Sequence, residues 1–222
     1  MTKEQNQFAR QGYLWLRDAV STGDLQNLKD LSASVRGPGS RVARSDPLFQ
    51  AVADLPVARQ IAKAFPGQRP VRLLSFDKSD GSNWAVPWHQ DRIIATATRA
   101  DVAGFGNWSQ KSGTWHCEPP EALLQNMLFV RLHIDPSTVE NGAMEIAEGS
   151  HLRGILPGDQ AAEVATRHKT WVTTAKPGDV LILHMLTLHR SGRASDTGGR
   201  AALRIDFSPD DLPAPLAWAD QI

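Results

Sequence analysis

Residues 179–189 read DVLILHMLTLH and follow Lys176-Pro177-Gly178, a strong turn signal. The run reads as a β-strand. Side chains alternate between the two faces of a strand. Counting by twos from His189 puts Thr187, Met185 and Leu183 on its face, while His184 falls on the other with Leu186 and Leu188. Only one of the two histidines therefore faces a given cavity unless a bulge intervenes. His189 ends the run and is followed by Arg190, Ser191 and Gly192, small and polar residues suited to the edge of an open site. It is the preferred functional histidine of the two.

Further strands are read on both sides of this one. They are VRLLSFD (71–77), LLQNMLFVRLHID (123–135), GAMEIAEG (142–149), TWVTTA (170–175) and AALRIDFS (201–208). Turn signals at ENGA (140–143) and KPGD (176–179) separate them. Upstream the character changes. GYLWLRDAV (12–20) is strand-like, but Ser21 with Asp24 three residues on resembles a capping box, and Leu25, Leu28 and Leu31 follow at helical spacing. PVARQIAKAF (56–65) is a second helix with Pro56 in its first turn, closed by PGQRP (66–70). A helical start followed by many strands gives an α+β fold with a β-sandwich or barrel core. The interval from Ile93 to Pro120 reads as irregular and carries Gly104, Gly106, Gly113, Trp108 and Trp115. A loop of that length in a compact domain implies a use, and a lid or substrate-binding insertion is expected.

Composition narrows the function. The 222 residues carry 24 lysines and arginines against 24 aspartates and glutamates, a formal charge of zero. That balance offers no long-range attraction to nucleic acid or an anionic membrane. No apolar run reaches the ~20 residues of a membrane span, and MTKEQNQFARQGY (1–13) lacks the apolar core of a signal peptide. The one cysteine, Cys117, has no internal partner and reads as a passive thiol. A cytoplasmic protein acting on a small-molecule substrate, with neither nucleic acid nor membrane as partner, is the expectation.

The segment WHQDR (88–92) holds the chemistry. On a strand His89 and Asp91 face the same way and Gln90 turns aside. Two imidazoles and a carboxylate on one face of a metal suit an iron-type divalent ion and leave positions open for substrate and oxygen. His89 and Asp91 lie where a strand enters an irregular segment, and His189 is the expected third ligand. His133-Ile134-Asp135 is a second H-x-D, for which a structural or substrate-contact role is favoured, with Arg131 on the same face as His133.

These segments, in order, resemble the phytanoyl-CoA dioxygenase-like family of Fe(II)/2-oxoglutarate-dependent oxygenases. VPWHQD (86–91) is similar to the family's first ligand segment, ENGAMEIAEGSHLRG (140–154) to its hairpin, and KPGDVLILHMLTLHRSG (176–192) to the strand of the second histidine. GRAALRIDFS (199–208) resembles the closing strand, and the likeness runs from about Gly12 to Phe207. It implies a double-stranded β-helix, a cupin-like jelly roll, with flanking N-terminal helices. One domain over 1–222 is then expected, with a mainly helical flank at 1–70, a jelly-roll core at 71–210 and the lid insertion at about 93–120. The resemblance implies Fe(II), 2-oxoglutarate and O2 as cofactor and co-substrates, with His89, Asp91 and His189 on the metal. The family arginine lies eleven residues after the second histidine, which is Arg200 here, and Ser191 matches a position that helps hold the same carboxylate. Arg204 shares the parity of Arg200 but lies ~13 Å along the strand and cannot do the same job.

Ala147-Glu148 stands where the family usually has a proline before the glycine, and His151 in that loop reads as structural. The carboxylate of Asp91, which halogenating relatives lose, favours hydroxylation. Arg131, Lys78, Trp84 and His116 are the candidates for substrate contact. Two other readings are weighed against this one: a cupin-like metal enzyme that does not use 2-oxoglutarate, and a non-catalytic ligand-binding domain of the same fold. Arg200 and Ser191 argue against the first, and an intact ligand triad against the second.

Overall fold

The computed structural model describes residues 2–35, 37–78, 83–195 and 200–219, with the backbone alone for Pro38 and Lys78. The N-terminal flank holds α1 (Lys3–Gln11), β1 (Tyr13–Leu16), α2 (Thr22–Ser32), β2 (Pro38–Val42), α3 (Pro47–Asp54) and α4 (Pro56–Ala64). Thr2 and Gln5 close a capping box on α1, Ser21 caps α2 through the Asp24 amide, and Pro56 opens α4. Then come β3 (Arg69–Lys78), β4 (Val86–His89), β5 (Ile94–Thr96), β6 (Gly106–Lys111), β7 (Thr114–Glu118) and α5 (Glu121–Asn126). The chain ends with β8 (Leu128–His133), β9 (Met144–Ala147), α6 (Ala161–Ala165), β10 (Thr170–Val172), β11 (Val180–His184), β12 (His189–Ser191) and β13 (Arg200–Ser208).

Two antiparallel sheets form the body. The larger runs β1-β11-β8-β13-β3-β2 and the smaller β10-β9-β12-β4. From β3 onward the chain passes back and forth between them: β3, β8, β11 and β13 lie in the larger sheet, and β4, β9, β10 and β12 in the smaller. This alternation is the jelly roll expected from the sequence. The larger sheet is covered on both faces. Leu128, Val130, Leu132, Val180, Ile182, Leu203 and Ile205 pack outward on helix residues that include Leu28, Leu48 and Ile61. Phe129, Leu181 and Leu183 pack inward against Met144 and Ile146 of the smaller sheet. Strands buried on both faces read as nearly continuous apolar runs, which is why β8 and β11 show so little polar alternation.

Three expectations change. The run at residues 179–189 is two strands in different sheets, β11 and β12, because Met185–Leu188 form a turn that carries the chain across the sandwich. The turn is pinned by Thr187 N–H donating to His184 O at 2.9 Å and by the Thr187 hydroxyl donating to Gly12 O at 3.1 Å. Parity therefore cannot be counted through it, although His184 and His189 still face opposite ways. Residues 93–120 are not irregular: β5, β7 and β6 form a third, three-stranded sheet. Ser112 and Gly113 both have positive φ, 49° and 81°, and join β6 to β7 in a two-residue turn. Ile94 and Cys117 anchor this sheet in the inner core beside Trp218. The N-terminal flank also holds β2, a strand not read from the sequence, which like β1 edges the larger sheet.

His184 and His116 are set into this framework away from solvent. His184 lies beneath α1, its ring 4.7 Å from that of His151 and 6.3 Å from that of Phe8. Burial, then the neighbouring His151, lowers it to about 4. His116, buried in β7, is also lowered to about 4, by burial and then by Arg41 and Arg72. The unfolded chain would protonate both near ~6.5. Their depressed values mean that the unfolded state binds protons first as pH falls. Folding stability should hold above about pH 6.5 and decline toward about pH 4, read as a falling urea midpoint. The double substitution His116→Gln and His184→Gln should flatten that decline; an unchanged slope would contradict these assignments.

Candidate metal centre

β4 and β12 are antiparallel neighbours in the smaller sheet, with His89 and His189 directly opposed. Their ring centroids lie 4.3 Å apart. Asp91 follows two residues after His89, just beyond the strand end, and its Oδ2 lies 3.1 Å from His189 Nε2. One ligand atom from each of His89, Asp91 and His189 falls within 4.8 Å of the others. These three form the one such metal-binding group of histidine, cysteine or carboxylate side chains among the described residues.

Each imidazole is oriented by its own backbone. His89 Nδ1 lies 2.9 Å from Pro87 O, and His189 Nδ1 lies 2.9 Å from Thr187 O. In both cases Nδ1–H donates to the carbonyl two residues back, which leaves the Nε2 lone pair free to coordinate. Burial, then the neighbouring His189, lowers the His89 pKa, which keeps the ring neutral as a ligand must be. Burial alone would raise the Asp91 carboxyl, but Arg204 and the two imidazoles overcome it and hold it well below the usual range. Asp91 Oδ2 contacts Arg204 Nη1 at 2.8 Å, yet this buried oxygen has no partner of hydrogen-bond geometry. A buried carboxylate oxygen left in that state beside two bare imidazole nitrogens fits a divalent cation.

The surroundings hold this arrangement. Gln90, which turns away as expected, donates from Nε2 to Gly154 O at 2.8 Å and to Leu186 O at 2.9 Å. Its Oε1 accepts from Leu156 N–H at 2.8 Å. It thus ties the first ligand segment to the turn that delivers His189. Ser150 accepts from Leu188 N–H at 2.8 Å, one residue before the ligand. His151 does not approach the metal group; its Nε2 lies 3.2 Å from Ala9 O and seats α1. His184 belongs to the same outer cluster.

His89 and His189 open on a cavity of about 80 Å³ between the sheets, lined also by Arg131, Arg200, Arg204 and Ser191. Arg200 and Ser191 are thus brought to the same cavity as the two histidines of the triad. Trp84 and Arg131 also line it. His116 lies on β7 of the third sheet, toward Arg41 and Arg72, and is not among the residues lining this cavity. Lys78 pairs through its backbone with Arg200, and its side chain lies outside the described residues.

Sequence reasoning missed the part played by Arg204. Beyond Asp91 it meets Asp206, Nε to Oδ1 at 2.8 Å, and Asp206 also binds Arg72. Burial would lower the Arg204 pKa, but Asp206 and Asp91 raise it above its ordinary value. Its guanidinium stacks over Phe129 at 4.3 Å, and the Phe129 ring meets that of His189 edge-on at 5.4 Å. One arginine therefore positions Asp91 directly and His189 through Phe129. Only the pair with Asp206 had a signal in the sequence: Arg204 and Asp206 share a strand face two residues apart.

The phytanoyl-CoA dioxygenase (PhyH) family model matches residues 8–202, and the chain belongs to that family. Comparison with curated protein sequences gives no match. Among solved structures, EctD from S. alaskensis in its apoform is 18% identical, with a TM-score of 0.72 over 100% of this chain and 85% of that one. The non-heme alpha ketoglutarate dependent carbocyclase SnoK from nogalamycin biosynthesis is 15% identical, with a TM-score of 0.71 over 100% and 88%. The epimerase SnoN in complex with Fe3+, alpha ketoglutarate and nogalamycin RO is 18% identical, with a TM-score of 0.66 over 96% and 90%. At these identities the likeness is one of fold. No helix among the described residues is long and apolar enough to cross a membrane.

Substitution separates the two histidines of the 179–189 run. Titration of the metal-free protein with Mn(II), followed calorimetrically, should give one site in the wild type. His189→Ala should lose that site and His184→Ala should keep it; the reverse order would contradict the triad.

Proposed function

We propose that the chain is a non-haem Fe(II)/2-oxoglutarate-dependent dioxygenase that hydroxylates a small-molecule substrate. The observation that carries this reading is the pairing, in one cavity, of a two-histidine, one-carboxylate group with a buried arginine that no described acid neutralises. A cupin-like metal enzyme without a 2-oxo acid needs no such arginine, and a binding module needs no such triad. Structural neighbours crystallised with Fe3+ and alpha ketoglutarate, or with 2-oxoglutarate and 5-hydroxyectoine, add support from fold.

His89, Asp91 and His189 would hold the iron, which when bound would supply the oxygen-activating chemistry that couples oxidation of the 2-oxo acid to succinate and CO2 with conversion of a substrate C–H bond to C–OH. The residues of the chain do the rest. The carbonyls of Pro87 and Thr187 hold the Nδ1 protons and so keep both Nε2 atoms aimed at the metal. Three protein ligands would leave coordination positions open to co-substrate and oxygen. Arg200 offers its planar fork to the far carboxylate of 2-oxoglutarate, with the Ser191 hydroxyl as a second donor. Phe129, Phe76 and Trp84 line the cavity and keep water from it. Asp91 favours hydroxylation, because an intact carboxylate ligand occupies the position a halide would need.

The two arginines of β13 should separate kinetically. Succinate release from 2-oxoglutarate, measured across a panel of small metabolites, tests the activity itself. Arg200→Ala should raise the 2-oxoglutarate requirement by an amount on the order of 2–5 kcal/mol, the cost of leaving a buried charged group without its partner. Arg204→Ala should change that requirement less and the iron requirement more, since Arg204 meets Asp91. Equal effects of the two on 2-oxoglutarate would count against the assignment.

A further inference from the structure

Arg131 is a buried charge that the catalytic scheme above does not use. It lies on β8, opposite Arg204 of β13, and faces inward with Phe129 and His133. Between Arg204 and Arg200 on β13 stands Ala202, which pairs with His133 on one side and with Phe76 on the other. The Arg131 guanidinium reaches across β13 and comes to 5.7 Å from the centre of the Phe76 ring. It lines the same cavity as the other two arginines, and the charge of Arg200 bears on it more strongly than that of Arg204.

The three arginines differ in how they are balanced. Arg204 has two carboxylates, Asp91 and Asp206. Arg131 is 7% exposed and makes no hydrogen bond or ion pair with any other described residue, and its Nε is buried without a partner. Arg200 is 4% exposed, its Nε is likewise unpartnered, and its one hydrogen bond among described residues is a 3.5 Å contact from Nη1 to Ser137 Oγ. Burial lowers both: Arg200 to about 10, and Arg131 well below its ordinary value with Arg200 and Arg204 adding to the effect. Two desolvated guanidiniums side by side without an acid destabilise the empty protein, and an anion that bridges them removes that penalty.

We propose that Arg131 and Arg200 form a single clamp, two guanidiniums wide, for the distal carboxylate of the 2-oxo acid. This rests on the oxygenase reading above and extends it: Arg131 becomes a specificity determinant for the co-substrate, not a contact for the substrate. Two cations on one carboxylate hold the dicarboxylate by its far end alone. Metal-free protein then binds glutarate, which keeps that end and lacks the chelating 2-oxo group. Succinate, the product, binds by the same end, and 2-oxo acids without a distal carboxylate, such as pyruvate, do not.

Calorimetric titration of metal-free protein with glutarate, paired with thermal melts, tests the clamp. Wild type should bind glutarate, and Arg131→Met should bind it about tenfold to a hundredfold more weakly, as expected for loss of a charge-assisted pair. Arg131→Lys, which keeps the charge without the fork, should recover part of the affinity. Without ligand, Arg131→Met should melt above wild type, because it removes an unbalanced buried charge. Unaltered glutarate affinity in Arg131→Met, or a melting temperature below wild type, would overturn the clamp. If wild type bound neither glutarate nor 2-oxoglutarate, with or without iron, the oxygenase reading would fall and the clamp with it.

Discussion

His89 and His189 oppose each other across the β4–β12 pair, ring centroids 4.3 Å apart, and each ring is tied by Nδ1 to the carbonyl two residues before it. The rest of the site follows from that pairing. The register of the smaller sheet decides which residue of β12 meets His89, and a shift of one residue would turn His189 to the opposite face. The turn at Met185–Leu188 decides where β12 begins. Gly12, Ser150 and Gln90 fasten that turn from three separate parts of the chain. Long-range contacts thus fix a geometry in which only the ligand side chains bear the chemistry.

The second organising feature is charge inside the sandwich. A chain of ion pairs runs from Arg72 through Asp206 and Arg204 to Asp91. It counters the desolvation of Asp91 and aims its carboxylate at the two imidazoles. Four arginines, Arg72, Arg131, Arg200 and Arg204, stand here against two aspartates, Asp91 and Asp206, among the described residues. The surplus of two positive charges lies on the Arg131–Arg200 side, away from the acids. A cavity that is balanced at its metal end and cationic at the other is built to receive a ligand with a chelating head and an anionic tail.

Much of this was legible in the sequence because it is carried by local rules. The H-x-D spacing puts His89 and Asp91 on one side, the capping residue Ser21 sits where α2 begins, and the order of strands around the turn signals gives the jelly roll. What was hidden depended on non-local packing. Residues 180–188 are mostly apolar because β11 and the turn are largely buried, so nothing local marks the change of sheet. Residues 93–120 seemed irregular because the Ser112-Gly113 turn was overlooked between two short strands rich in polar residues. The role of Arg204 requires knowing that β13 passes beneath Asp91, which no spacing within β13 reveals. His116 seemed close to the site only because it follows Asp91 in the chain, whereas β7 faces Arg41 and Arg72.

The central claim is that one cavity holds iron on His89, Asp91 and His189 and a 2-oxo acid between that iron and Arg200. The most direct measurement is an anaerobic titration of 2-oxoglutarate into the iron(II)-loaded protein, followed by visible charge-transfer absorption, which appears only when the 2-oxo acid chelates the metal. The account predicts a saturable band at one 2-oxoglutarate per chain, with a much weaker midpoint in Arg200→Ala. Iron binding with no band at any 2-oxoglutarate concentration would contradict it.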